Sequence, residues 1–243
     1  MLELAKAWER LGGRVDVGVA DIAGVSGTER ELNMRRPGSM WSLETLGRVR
    51  LSRHFFMRDF LYSEIGNFHA LQNIPDDPDL AIETGRAFCE TLLDPLEETF
   101  GRVAVRSGYR SRSLNRYGNE NKLNCARNDN PLECHIWDWG EGDARVAGAS
   151  VVIPWFADRY AQGRDWRDLA WWMHDHLDYS EIWFFPKLCA FNLVWRPKPV
   201  RRIDSYIAPR GCLLRAGAEP DEPLDQRQGR YADFPPFRAI SYP

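Results

Sequence analysis

The densest group of residues able to do chemistry lies at 133–143, where the run ECHIWDWGEGD sets His135 three residues before Asp138, with Glu141 and Asp143 close behind. An imidazole beside a carboxylate is a common proton-transfer arrangement, because histidine titrates near neutrality and an acidic neighbour sets its charge. His135 and Asp138 are therefore candidates for an acid–base pair that needs no metal. Asp138, Glu141 and Asp143 together would suit a hard cation, but their spacing matches no calcium loop, and a solvated acidic turn is the default. Cys134 adjoins His135 and has two readings, a reactive or metal-binding thiol or a small buried side chain; burial is the commoner use. His174 and His176 lie two apart on an expected helix, so their side chains diverge by about 200° and do not grip one ion together. His54 and His69 have no partner motif.

The elements that must position these groups follow from pattern. Residues 54–64 read as helix-like, and Asp79 is a cap for a helix in which Ala81, Gly85, Phe88 and Leu92 recur at helical spacing. Pro95 ends or kinks that helix. Val103 and Val105 alternate with Arg102 and Arg106 as a short half-buried strand, and residues 111–134, polar and rich in Asn, read as a long irregular loop. Apolar strands are expected at 149–153, 181–185 and 189–195, with another at 201–207, and Asp165 caps a helix reaching Leu177. Helices first, then strands interrupted by a helix, give α+β rather than a doubly wound sheet. Three segments emerge: an N-terminal extension or arm over 1–50 that starts as a short amphipathic helix, a domain over 51–215, and a Pro-rich tail over 216–243 expected to be extended.

The net charge of −3 argues against a general nucleic-acid or anionic-membrane binder. Neither a membrane span nor a secretory leader is legible, and the five scattered cysteines form no CxxC pair. A cytoplasmic protein with reduced thiols is the expectation, with Cys125–Cys134 as the alternative disulfide. Ten tryptophans and twelve phenylalanines imply an aromatic core or an aromatic-lined groove.

The run SGYRSRSLN at 107–115 resembles the hallmark loop of the zinc D-alanyl-D-alanine carboxypeptidases, the hedgehog-like cell-wall peptidases. The order around it is similar too: Phe56, Asp59-Phe60, Ser63-Glu64 and Asn73-Pro75, then the LLDPLEETFG helix end, the strand, and SGYR, so that the resemblance spans roughly residues 55–195. It implies a small antiparallel sheet with flanking helices and long loops, and hydrolysis of a cell-wall-type peptide. It also implies that Arg110 orients a substrate carboxylate or oxyanion, a task suited to a planar fork of donors, the alternative being a structural ion pair in the loop. Ser107, Asn115 and Asn192 are the further candidates to border the substrate, although an Asn at position 115 more often fixes the loop backbone.

The family's zinc takes His, Asp and His, leaving one position open for water. Here His135 matches the first. The second is Asp143 or Asp138, or, if the 148–154 strand is aligned instead, Val152, which leaves no carboxylate. The third position is Asn192, a poor zinc ligand, with His174 or His176 as substitutes, and the general-base position falls at Phe184 or Phe185 with Glu181 nearby. Three functions stay open: a peptidase with a divergent zinc site at His135, Asp143 and His174; a non-catalytic relative that recognises a peptide or carboxylate or serves in assembly; and the metal-independent His135–Asp138 enzyme. Phage or lysis delivery would bring a leaderless peptidase to the cell wall.

Overall fold

A computed structural model describes residues 33–240; the amphipathic-helix expectation at the N-terminus lies outside the described residues. The fold is α+β. Ser39 caps helix α1 (Met40–Gly47) through a capping box with Ser42, and Leu46 is buried. Two short helices follow, α2 (Arg58–Leu61) and α3 (Glu64–Phe68), in place of the single helix-like stretch; Tyr62 between them is extended, and Ser63 caps α3.

Helix α4 (Pro78–Phe88) is capped by Asp77 rather than Asp79. Pro78 follows at the first helical position, where its missing N–H costs nothing. Asp79 instead accepts the Met34 N–H at 3.0 Å. The chain does not stop at Pro95. It widens into a π turn, Cys89–Leu93, and runs on as α5 (Asp94–Phe100), with Pro95 in the new helix's first turn. A wide turn of this kind absorbs the hydrogen bond that proline cannot donate.

The sheet has six strands in the order β1-β2-β4-β3-β5-β6: β1 (Ala104–Ser107), β2 (Ala147–Val152), β3 (Glu181–Phe184), β4 (Phe191–Trp195), β5 (Arg202–Ser205) and β6 (Gly211–Leu214). All neighbours are antiparallel except β3 and β5. Strand β6 was not expected; its exposed first half, Gly211 and Cys212, hides the apolar alternation that marks the other strands. Val151, Ile182, Phe184, Phe191, Leu193 and Ile203 are buried in the core, and α4 packs against β2 and β4.

Two further expectations fail. The stretch 111–134 is not wholly irregular, because it opens with helix α6 (Arg112–Glu120), where Ser111 Oγ accepts the Leu114 N–H. The helix buries only Leu114, Asn115 and Gly118, and so narrow an apolar stripe reads as loop. The tail is not extended throughout. Helix α7 (Pro154–Ala161) and helix α8 (Trp166–His176, capped by Asp165) are joined by α9 (Leu224–Arg230), which packs on α8. Arg227 is buried in an ion pair with Asp175 at 2.7 Å, and Tyr231 donates to the same carboxylate at 2.8 Å. Phe234 sits edge-on to Phe100 and Trp155.

Candidate functional site

Cross-strand pairing places one residue from each of five strands in a row: Ser107 opposite Ser150, Ser150 opposite Asn192, Asn192 opposite Trp183, Trp183 opposite Asp204. Directly paired residues share a sheet face. Ser107, Ser150, Asn192 and Trp183 accordingly floor a cleft of about 990 Å³ whose walls include Arg110, His135, Glu133 and Cys125. Arg110 and His135 therefore share one cleft. They are also tied directly, since the Arg110 backbone N–H donates to the His135 carbonyl at 2.7 Å.

Arg110 is buried at 8% exposure, yet has no carboxylate oxygen within 4.0 Å among the described residues. One arm of its guanidinium, Nη1, donates to Asn115 Oδ1 at 2.7 Å and to Cys125 Sγ at 2.9 Å. Asn115, fully buried, spends its amide on the Ala126 carbonyl and Asn128 Oδ1, both at 2.9 Å. It thus pins α6, the 126–128 segment and Arg110 to one another, and touches no cleft surface of its own.

The His135 ring lies 2.7 Å, through Nδ1, from the Gly108 carbonyl. A carbonyl only accepts, so Nδ1 carries the proton and Nε2 keeps its lone pair. Burial first, and the Arg110 charge second, push the His135 pKa well below its ordinary value, against the opposing pull of the Gly108 bond. The imidazole is neutral at physiological pH. Glu133 accepts the backbone N–H of His135 at 2.8 Å; burial raises its pKa, opposed chiefly by Arg110.

The His135–Asp138 pair does not form. Asp138 accepts the Asp76 N–H at 2.7 Å, the Asp77 N–H at 3.3 Å and the Tyr109 hydroxyl at 3.0 Å, and it is absent from the cleft wall. It fastens the turn that leads into α4. Asp143 is exposed in a single helical turn and pairs with Lys198. His174 meets the Tyr179 hydroxyl at 2.9 Å, and His176 stacks on Trp172. The structure does not bring His135, Asp143 and His174 together, and no group of three or more His, Cys, Asp or Glu placed to hold a metal occurs among the described residues. The cysteines are unpaired, Cys125 and Cys134 included.

Zinc needs imidazole, thiolate or carboxylate at three positions. The floor beside His135 offers instead a hydroxyl and an amide, Ser150 and Asn192, hydrogen-bonded to each other. Glu181 is engaged with Arg196 at 3.1 Å. Glu133 and Cys125 also line the cleft, but no three His, Cys, Asp or Glu side chains among the described residues are grouped to hold an ion, so the residues around His135 do not fit zinc as they stand.

Ser150, Trp183, Glu133 and Cys125 escaped sequence reasoning. Ser150 did leave a signal, as the single polar residue inside the apolar run 147–153. The chain matches no family model, no curated protein and no solved structure. Among the described residues no helix is long and apolar enough to cross a membrane.

Proposed function

We propose that the cleft is a recognition site for a peptide carboxylate, on a chain related to the zinc D-alanyl-D-alanine carboxypeptidases that does not use their metal. The observation that carries this reading is the Arg110 guanidinium, buried, hydrogen-bonded to the neutral Asn115 and Cys125 and with no carboxylate oxygen within 4.0 Å among the described residues, the Glu133 carboxylate acting on it only from beyond that distance. An incoming carboxylate would meet the free arm of this planar fork with charge-assisted hydrogen bonds. Neutral His135 adds a lone pair able to accept a hydrogen bond from a peptide N–H, and the Ser107–Ser150–Asn192 row offers hydroxyl and amide groups to the rest of the backbone. A hydrolase working through a divergent zinc site would need ligands that Ser150 and Asn192 do not provide.

The test is calorimetric titration of diacetyl-L-Lys-D-Ala-D-Ala. Charge-assisted hydrogen bonds contribute ~1.5–3 kcal/mol, so Arg110→Ala is expected to weaken binding about 10- to 100-fold. Arg110→Lys, which loses the fork but keeps the charge, should fall between. Equal affinity in all three proteins would remove Arg110 from the account.

A further inference from the structure

The end of the cleft formed by β3 and β5 is built differently from the Arg110 end. Trp183 and Phe185, with Tyr206 from the continuation of β5, line it together. Phe185 and Tyr206 stack with ring centres 5.6 Å apart and planes 20° apart, and Trp183 lies 6.3 Å from Tyr206. Tyr206 is 52% exposed. These rings are not sealed into the core as Trp137 and Trp172 are.

Their polar edges are unspent. Among the described residues the Trp183 indole N–H, the Tyr206 hydroxyl and the Asn192 amide nitrogen donate to nothing, whereas Trp137 and Trp166 commit their indoles to the carbonyls of Gly148 and Ala208. In the strand row Trp183 stands next to Asn192, whose amide flanks the ring; on its other side Asp204 is held by Arg202, whose guanidinium lies 5.9 Å from the Trp183 ring centre.

An aliphatic or aromatic side chain laid here would cover the rings and leave those donors without partners, which costs free energy. A pyranose ring satisfies both demands. Its C–H face packs on an aromatic face, and its hydroxyls radiate from the rim to meet donors and acceptors at the edge. We propose that this end of the cleft is a sugar subsite, in which a neutral pyranose stacks on Tyr206 and Trp183 and is held at its hydroxyls by Asn192 and the Trp183 indole. The inference rests on the cleft being a ligand site but not on the role of Arg110.

Titration of the full chain with cellotetraose, N-acetylchitotetraose, maltotetraose and xylotetraose at millimolar concentration tests it. At least one should bind, and Tyr206→Ala and Trp183→Ala should each weaken that binding about ten-fold or more. Trp183→Phe, which keeps a stacking face, should retain most of it. Thermal melts establish that the variants fold; if Trp183→Ala does not, Tyr206→Ala and Trp183→Phe carry the comparison, Tyr206 being half in solvent. No binding by any of the four sugars, or binding indifferent to Tyr206→Ala, overturns the proposal. The lysyl peptide titrated in parallel reads the Arg110 site separately, so a sugar response without a peptide response supports this inference while counting against the carboxylate reading.

Discussion

Burial governs the charge of His135 and Glu133 beside Arg110, and of His174 on α8, and this has consequences that can be measured one residue at a time. His135 is held well below its ordinary pKa by burial and by Arg110, and His174 is lowered to about 4 by burial and Arg201. Between those lowered values and roughly 6.5 the unfolded chain binds more protons than the folded one, so stability is lost as pH falls below roughly 6.5. Glu133, raised by burial, works in the opposite sense, because the fold takes up its proton first on acidification. His135→Asn keeps a donor for the Gly108 carbonyl and removes the titration. Its melting temperature should therefore fall less steeply from pH 7 to pH 5 than that of the wild type. Two curves of the same slope would show that His135 is not the buried neutral group described above. Asp138 serves the fold instead. Asp138→Ala leaves the buried Tyr109 hydroxyl without its acceptor and frees the Asp76 and Asp77 N–H groups, whose residues are exposed and can turn to water, and should destabilise by about 1–3 kcal/mol in denaturant titrations, the cost of one orphaned buried donor.

At the scale of elements, α6 couples packing to the site. A Cβ on Gly118 would lie 2.4 Å from Cys125 Sγ, the atom that receives Arg110 Nη1. Gly118→Ala gains helix propensity yet must displace Cys125, and overpacking of this kind costs about 1–3 kcal/mol. It should also weaken peptide binding, and adding Cys125→Ala should recover the stability; failure to recover would place the strain elsewhere. The C-terminal helix α9 is anchored by Arg227 and Asp175, whose side chains are 10% and 8% exposed. Breaking a buried pair from one side costs about 3–5 kcal/mol, so Arg227→Ala should lower the urea midpoint substantially. The strands centred on Val151, Ile182 and Leu193 were legible because apolar runs bounded by Pro or Gly announce buried strands. Helices α6 and α9 were not, since α9 buries an arginine and α6 an asparagine, and patterns of apolar residues do not register polar side chains that are buried through their partners.

For the molecule as a whole, the division between what sequence disclosed and what it withheld follows the sheet. Arg110, His135, Ser107 and Asn192 were nameable from short motifs, and cross-strand register gathers them around one cleft. Asp138, Asp143 and His174 were nameable by type alone, and each is engaged elsewhere. Ser150 emerged only when β2 was paired between β1 and β4, since which face a strand residue occupies depends on its neighbours' register. The central claim is that this cleft reads a carboxylate without help from a metal. The most direct measurement is calorimetry in excess EDTA, comparing diacetyl-L-Lys-D-Ala-D-Ala with the same peptide ending in a carboxamide. The free acid is expected to bind, and the amide about ten-fold or more weaker, the loss of a charge-assisted pair being worth at least ~1.4 kcal/mol. Equal affinity for the two, or binding and cleavage that appear only when zinc is restored, would contradict the account.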